Sequence, residues 1–240
     1  MINTVINTAF FAVWPYLALA VSVVGHVWRW REDQFGWTTR TSELLEKRWL
    51  MWGSPIFHVG LVFLVAGHAM GLVVPASVTT ALGVSEETYH IIALSGGLLA
   101  GTLVIAGLVI LLARRFVTKA RLRLVTRRAD IVMYVLLVIV ASAGMWATVG
   151  VNMVTPGGFN YRETVAVWFR SIFLFNPDVA VMTGPGMQWI YQVHAVCAFA
   201  LIALWPFTRL VHLWSIPLGY ITRPLIVYHT PVPAGGKHGR

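Results

Sequence analysis

The sequence contains little cysteine and little charge. Cys197 is the only cysteine among 240 residues. A single thiol excludes an internal disulfide and an iron–sulfur cluster held by this chain's own thiolates, because such a cluster needs several cysteines. Charged residues make up only 11% of the chain, against about 25% in soluble domains, whereas 58% of the residues are hydrophobic. The composition therefore predicts an integral membrane protein.

Acidic residues are scarce as well, so the formal net charge is +9. A basic chain can bind nucleic acid, but these basic residues lie between apolar runs rather than in a soluble module, and membrane topology explains them better. We expect no nucleic-acid partner. The N-terminus has neither a basic n-region nor a small-residue cleavage site, which predicts a retained span rather than a cleaved signal peptide.

Five apolar runs reach the length of about 20 residues that is needed to cross the hydrocarbon core of a membrane. They cover about 4–28, 53–75, 89–112, 130–151 and 187–208. The sequence therefore predicts an all-α integral membrane protein. We expect one bundle of five transmembrane helices over residues 1–214, followed by a tail over residues 215–240.

The basic residues are distributed unevenly between the two sides of these spans. All of them except Arg162 and Arg170 fall on one side. By the positive-inside rule that side faces the cytoplasm, so the N-terminus is expected outside and the C-terminal tail in the cytoplasm. On the outer side, the 77–88 connection is expected to do little more than turn the chain. The apolar spacing over 163–175 predicts a short helix at the membrane interface.

Two of the spans carry two histidines each. His58 and His68 are ten residues apart in the second span, and His194 and His212 are eighteen residues apart in the last hydrophobic helix. Ionisable groups are costly at bilayer depth, so they usually face the bundle interior and mark pathways or cofactors. Because the two helices run antiparallel, His68 matches His194 in depth on the outer side. His58 matches His212 on the inner side.

The chemistry of these pairs favours two haem groups. Neutral imidazole is a common haem ligand, and cofactor sites of helical bundles are built between facing helices. A small metal ion would instead need ligands that converge on one point. Several small residues are expected to clear space for a flat macrocycle: Gly60, Ala66, Gly67, Ala69 and Gly71.

The spacing of the two pairs differs. The helical rise separates His58 from His68 by about 15 Å and His194 from His212 by about 27 Å. We expect a tilt, or a bend at Pro206, to absorb this difference. The alternative reading of any single histidine is a hydrogen-bonded packing residue that binds no cofactor.

These residues resemble the gamma subunit of membrane-bound respiratory nitrate reductase, which is a di-haem cytochrome b. The resemblance rests on four segments and covers nearly the whole chain. They are Trp14-Pro15-Tyr16, Trp28-Arg29-Trp30, FHVGLVFLVAGHAMG at 57–71 and FTRLVHLWSIP at 207–217.

The resemblance implies a five-span cytochrome b in a prokaryotic plasma membrane. His58 and His212 would be the axial iron ligands of an inner haem b, and His68 and His194 those of an outer haem b. The subunit would oxidise a quinol, menaquinol or ubiquinol, near the outer face. It would pass the electrons through both haems to an iron–sulfur subunit and a molybdenum catalytic subunit that reduces nitrate.

A quinol site must lie beside a haem and must give protons a route to water. Gly67, next to His68, is expected to leave a gap for a flat head group. His90 enters the third span at a similar depth, as does Tyr89. An imidazole titrates near neutral pH and can take a proton from a quinol hydroxyl, so His90 is the candidate for that role.

Two other functions stay open on the sequence alone. A cytochrome b of a sulfite-reducing or heterodisulfide-reducing complex would share these features, because the soluble partner selects the terminal acceptor. A non-redox transporter or assembly protein would carry polar intramembrane residues but no haem. The basic segments 29–52 and 113–128 and the tail are expected to dock the iron–sulfur subunit, although such charges also arise from orientation alone.

Overall fold

The computed structural model describes residues 2–33, 45–118, 120–154 and 158–214. Within these ranges five helices are long and apolar enough to cross a membrane, as the sequence predicts. They are α1 (Ile2–Glu32), α2 (Arg48–Val73), α4 (Glu86–Thr118), α6 (Arg128–Met153) and α9 (Trp189–Phe207). The shorter helices are α3 (Ala76–Ala81), α5 (Ala120–Leu124), α7 (Val165–Phe173), α8 (Val179–Thr183) and the 3₁₀ helix α10 (Arg209–Leu213). The predicted tail, 215–240, lies outside the described residues.

The bundle has two chemically different ends. The end that carries Arg29, Arg114 and Arg209 is called the arginine end below. The opposite end, where α3, α7 and α8 lie, is called the loop end. Local signals fix where helices begin: Ser85 caps α4 by accepting a hydrogen bond from the Thr88 N–H at 3.2 Å, as polar residues at helix N-termini commonly do.

Glycine lets α2 and α4 approach closely over their arginine-end halves. A Cβ placed on Gly60 would lie 2.8 Å from the Val104 nitrogen and 2.9 Å from the Ala100 oxygen. A Cβ on Gly107 would lie 2.5 Å from the Phe57 nitrogen. The backbones are therefore in contact, which is how small residues stabilise helix pairs in membranes. α2 packs mainly on α4, while α9 packs on α1 and α6.

The last span breaks before it reaches His212. Its α-helical part is Trp189–Leu204, followed by a 3₁₀ turn over Trp205–Phe207 and by Thr208 in an extended conformation. The expectation that His194 and His212 share one helix is therefore wrong, and the break falls at Pro206, where a bend was predicted. Proline removes a backbone donor and clashes with the preceding turn. The break frees α10 to leave the helix axis, so His212 need not lie 27 Å from His194.

The short helix predicted within the 163–175 segment is present as α7, and it packs on the loop end of the bundle. Trp168, on its inner face, is 2% exposed and donates a hydrogen bond from Nε1 to the Phe11 oxygen at 2.8 Å. Ile172 is also buried there, and Phe199 of α9 joins the same apolar cluster. This helix therefore ties the start of α1 to α9 at the loop end.

The arginine end is held by buried ion pairs. Arg114 Nε contacts the Glu46 carboxylate at 2.8 Å, and Arg209 Nε contacts Asp130 at 3.1 Å. Arg29 donates a hydrogen bond to the Pro206 oxygen at 2.6 Å. Burial opposes ionisation of Glu46, but hydrogen bonds from the backbone and from Arg114 outweigh it, so the pKa of this carboxyl is lowered. Part of the basic charge read from the sequence thus stabilises the fold.

Candidate functional site

The four candidate histidines meet as two pairs. His58 and His212 lie with their Nε2 atoms 3.5 Å apart and their ring centroids 5.8 Å apart. His68 and His194 have ring centroids 6.0 Å apart, with ring planes inclined by only 18°. The structure therefore brings together the residues that the depth argument matched, one pair toward each end of the bundle.

Each of these imidazoles is oriented by a backbone carbonyl at Nδ1. The distances run from 2.5 to 3.0 Å, and the acceptors are Ser54 for His58, Leu64 for His68, Val140 for His194 and Arg209 for His212. A carbonyl oxygen only accepts hydrogen bonds, so Nδ1 must carry the proton. In a neutral imidazole this leaves Nε2 unprotonated, with a lone pair that can bind a metal. Histidines that bind metals typically show this arrangement.

The unprotonated Nε2 atoms suit a metal ion whose remaining ligands come from a cofactor rather than from the protein. Two unprotonated Nε2 atoms at 3.5 Å cannot hydrogen-bond to each other. Metal–imidazole bonds of roughly 2 Å on opposite sides of one ion would hold such nitrogens about 4 Å apart, close to the observed separation. No group of three or more His, Cys, Asp or Glu residues suited to a metal ion occurs within the described ranges. Two protein ligands per site suit a macrocycle-bound iron better than a free ion.

The space around the pairs also fits a flat group. Among the described residues α2 and α9 have too little contact to form a packed interface, yet the rings of His68 in α2 and His194 in α9 have centroids only 6.0 Å apart. His58 and His68 are exposed, although both lie inside an apolar helix. Gly144 of α6 makes room for the second pair, since a Cβ there would lie 3.1 Å from His194 Cε1. Sequence reasoning missed Gly144 because it lies on another helix.

The expected role of the small residues holds for only some of them. Gly60 and Gly71 do not clear space: Gly60 packs on α4, and a Cβ on Gly71 would lie 2.9 Å from the Tyr161 hydroxyl. A Cβ on Gly67 would meet no atom within 4 Å, and the same is true of Gly96 on α4. Gly67 therefore borders open space beside His68, as predicted. Nothing in the α2 sequence alone separates these three glycines.

His90 and Tyr89 diverge at the loop end. His90 Cε1 lies 3.5 Å from a Cβ placed on Gly158, and Asn152 Oδ1 lies 3.3 Å from the same Cβ. The Tyr89 hydroxyl instead lies beside α2, 3.3 Å from a Cβ placed on Gly71. The structure therefore brings Tyr89, rather than His90, to the helix that carries Gly67.

Arg162 is the centre of a polar cluster that sequence reasoning missed. It is buried, and its two terminal nitrogens donate hydrogen bonds to Glu86 at 2.8 Å and to Thr79 at 2.9 Å. Its guanidinium carbon lies 3.8 Å above the Tyr89 ring, a cation–π contact. The expectation that 77–88 only turns the chain is wrong, because Thr79 in α3 and Glu86 at the start of α4 hold Arg162.

Tyr161 completes this cluster. Its hydroxyl lies 3.4 Å from the Tyr89 hydroxyl. Burial, together with the hydrogen bond to Tyr89, raises the pKa of Tyr161, so its phenol stays protonated at any physiological pH. Nearby, Arg170 of α7 donates a hydrogen bond to the Leu72 oxygen at the end of α2, at 3.0 Å. The loop-end segment is thus tied directly to α2.

The fold and the paired imidazoles define a class of protein: a helical membrane protein with two histidine pairs, which α2 forms with the last span and with the 3₁₀ helix that follows it. Within that class, a model of the nitrate reductase gamma subunit matches residues 7–231. The chain belongs to the nitrate reductase gamma subunit family.

Individual relatives agree with this assignment. The nitrate reductase gamma chain of Bacillus subtilis is 44% identical over 218 residues, which are 91% of this chain and 96% of that protein. The respiratory nitrate reductase 1 gamma chain of Escherichia coli is 31% identical over 218 residues, 91% of this chain and 95% of that protein. The nitrate reductase-like protein NarX of Mycobacterium tuberculosis is 44% identical over 221 residues, but this chain spans only 33% of its length.

Proposed function

We propose that this chain is the quinol-oxidising, di-haem cytochrome b subunit of a respiratory nitrate reductase. In this role it passes electrons from quinol, through two haem b groups, to an iron–sulfur subunit and on to a molybdenum subunit that reduces nitrate. The observation that carries the proposal is the pairing of His58 with His212 and of His68 with His194, with every Nδ1 held by a carbonyl. Family membership favours nitrate over sulfite or heterodisulfide as the final acceptor.

The four histidines would hold the two haem groups. His58 and His212 would bind the haem nearer the arginine end, and His68 and His194 would bind the haem nearer the loop end. Haem, when bound there, supplies reversible one-electron transfer. The carbonyl bonds at Nδ1 keep each Nε2 unprotonated, and a hydrogen bond donated at Nδ1 raises the basicity of Nε2 as a metal ligand.

Gly67 and His90 are the proposed quinol residues. The open space at Gly67 and Gly96 admits a flat head group beside His68. His90 lies at the same end and is half-buried, so it is a candidate to take a proton and release it to water. The quinol is a lipid-soluble substrate, and it reaches this opening from the membrane.

The arginine end is the proposed cytoplasmic and docking face. Arg121, Arg123, Arg127 and Arg128 are exposed there, in contrast to the buried arginines that hold the fold. Positive charge on this face agrees with a cytoplasmic orientation and suits an acidic surface of the iron–sulfur subunit. The N-terminus would then lie outside, and the haem nearer this end would face the partner.

The test is a coupled assay on the whole complex, isolated from membranes. Menadiol, a water-soluble quinol, should be oxidised in step with the formation of nitrite from nitrate. A reduced-minus-oxidised spectrum of the same preparation should show b-type absorption. A well-folded complex without b-type absorption, or one that reduces nitrate with dithionite-reduced dyes but never with menadiol, would reject the proposal.

A further inference from the structure

At the loop end, α2 and α4 separate and then meet again. They are in contact at Gly60, where Ala100 and Val104 approach, and the Tyr89 hydroxyl of α4 reaches α2 again at Gly71, together with the hydroxyl of Tyr161. Between these contacts lie Gly67 and Gly96, each with nothing within 4 Å of a Cβ placed on it. Gly71 follows Gly67 by four residues, about one helical turn or 6 Å. The two hydroxyls therefore stand at the loop-end rim of this opening.

The two hydroxyls have spare hydrogen-bonding capacity. Their mutual distance of 3.4 Å is long for an O–H···O hydrogen bond, which is usually about 2.7–2.8 Å. Within the part of the chain that the structure describes, neither oxygen has any other hydrogen bond. A phenol both donates and accepts, so the pair can hold a third oxygen better than the two hold each other.

The rings that carry these hydroxyls are fixed from behind. The guanidinium of Arg162 lies over the Tyr89 ring. Its Nη1 donates a hydrogen bond to Glu86, and its Nη2 donates one to Thr79. Tyr161 precedes Arg162 in the chain, so one short segment positions both phenols. A preorganised pair binds a ligand at a smaller entropic cost than two mobile side chains would.

We propose that the hydroxyls of Tyr89 and Tyr161 bind the hydroxyl group of the quinol at this opening, and that Arg162 is the residue that positions them. The inference deepens the proposed function and rests on it. A quinol hydroxyl matches the chemistry of the pair, because it accepts a hydrogen bond from one phenol and donates one to the other. The contact would orient the head group with its other edge toward the His68 side of the opening.

The experiment uses the intact complex and three hydroxyl deletions of equal size. Tyr89→Phe and Tyr161→Phe each remove one oxygen from the pair. Tyr134→Phe is the matched control, since Tyr134 packs against Phe116 near the arginine end. One lost hydrogen bond to the substrate should lower kcat/KM for menadiol roughly two- to tenfold, mainly through a higher KM. The control should match the parent, and dithionite should reduce both haems fully in every variant.

A second arm separates contact with the substrate from support of the fold. The dimethyl ether of menadiol cannot donate a hydrogen bond, so the parent should bind it, as a competitive inhibitor, more weakly than it binds menadiol. This preference should shrink in whichever of Tyr89→Phe and Tyr161→Phe removes the phenol that accepts the hydrogen bond of the quinol, and it should stay unchanged in Tyr134→Phe. Arg162→Lys keeps the charge but loses the forked contact, and it should give an intermediate rise in KM without loss of haem.

The outcomes also separate this inference from the proposed function. Parental KM values and ligand preference in both tyrosine variants, in a complex that oxidises menadiol normally, would overturn the binding role and leave the proposed function intact. Loss of haem in both variants would show that the pair supports the fold instead, and it would overturn the role as well. A parent complex that contains haem but never oxidises menadiol would overturn both.

Discussion

Gly67 and Gly60 lie seven residues apart on the same helix, and the same substitution should affect them in opposite ways. A methyl group added at Gly67 meets no atom within 4 Å. Alanine is favoured over glycine in a helix by roughly 1 kcal/mol, so Gly67→Ala should leave the free energy of unfolding unchanged or raise it. The added methyl nevertheless occupies the space proposed for the quinol head group. We therefore expect loss of quinol oxidation without loss of stability.

Gly60→Ala is the matched control. Its methyl would lie 2.7 Å from Leu103 Cβ, 2.8 Å from the Val104 nitrogen and 2.9 Å from the Ala100 oxygen. Two of these are backbone atoms, which cannot rotate away, so α2 and α4 must move apart. Overpacking of this kind costs about 1–3 kcal/mol. After the gain in helix propensity of roughly 1 kcal/mol, the free energy of unfolding should fall by up to about 2 kcal/mol.

The assay compares thermal unfolding, haem content and menadiol oxidation of the two purified variant complexes with those of the parent. If the methyl of Gly67→Ala overpacks the bound quinol by about 1–3 kcal/mol, kcat/KM falls roughly five- to 150-fold. Gly60→Ala should unfold at a lower temperature but keep a more nearly parental kcat/KM. Parental menadiol oxidation by Gly67→Ala with full haem content would refute the placement of quinol at this opening.

Further predictions concern the arginine end, the C-terminal tail and the protons. Glu46→Gln should lower the free energy of unfolding by about 2 kcal/mol, less than the roughly 3–5 kcal/mol for a fully enclosed pair. The folded-state pKa of Glu46 lies below its ordinary 4.5, so the loss of unfolding free energy should be complete above about pH 4.5 and should vanish as the pH falls through the folded-state pKa. A loss that persists in acid would contradict the ion pair as its cause. Deletion of 224–240 should reduce membrane retention of the soluble subunits, and unchanged retention would reject a docking role for the tail. Menadiol oxidation in proteoliposomes should acidify the loop-end side, and proton release at the arginine end would reject a quinol site at the loop end. His90→Ala should slow haem reduction without haem loss, and normal kinetics in this variant would reject a role for His90.

Much of the fold was predictable because membrane spans have a strong local signal. The five apolar runs correspond to α1, α2, α4, α6 and α9. α1, α4 and α6 extend beyond both predicted bounds, whereas α9 lies within its predicted run. α4 begins at Glu86 and ends at Thr118, although charged residues lower the hydropathy at both ends. Hydropathy locates the part of a helix inside the membrane, whereas caps and ion pairs decide where the helix ends.

The histidine pairs were predictable for the same reason. The order of residues along two spans of opposite direction gives their order in depth, and this order matched His58 with His212 and His68 with His194. The break at Pro206 was predictable as a bend, but the departure of α10 from the helix axis depends on the extended conformation of Thr208, which has no signature in the hydropathy pattern.

Contacts between distant segments were not predictable. Arg162 stood in the sequence only as an exception to the charge asymmetry, yet it joins α3, the start of α4 and Tyr89. Gly60, Gly67 and Gly71 of α2 look alike in sequence, but Gly60 packs on a helix, Gly71 packs on two phenols, and Gly67 borders open space. Such roles depend on neighbours that are far away in the chain, and a single sequence does not specify them.

The most direct test of the account is haem quantitation with potentiometric titration of single-histidine variants. The parent should hold two b haems that titrate as two separate waves. His58→Leu and His212→Leu should lose one and the same wave, His68→Leu and His194→Leu should lose the other, and the control His26→Leu, in α1, should keep both. Absence of b-type absorption in the folded parent, or loss of the same wave in His58→Leu and His68→Leu, would contradict the central claim.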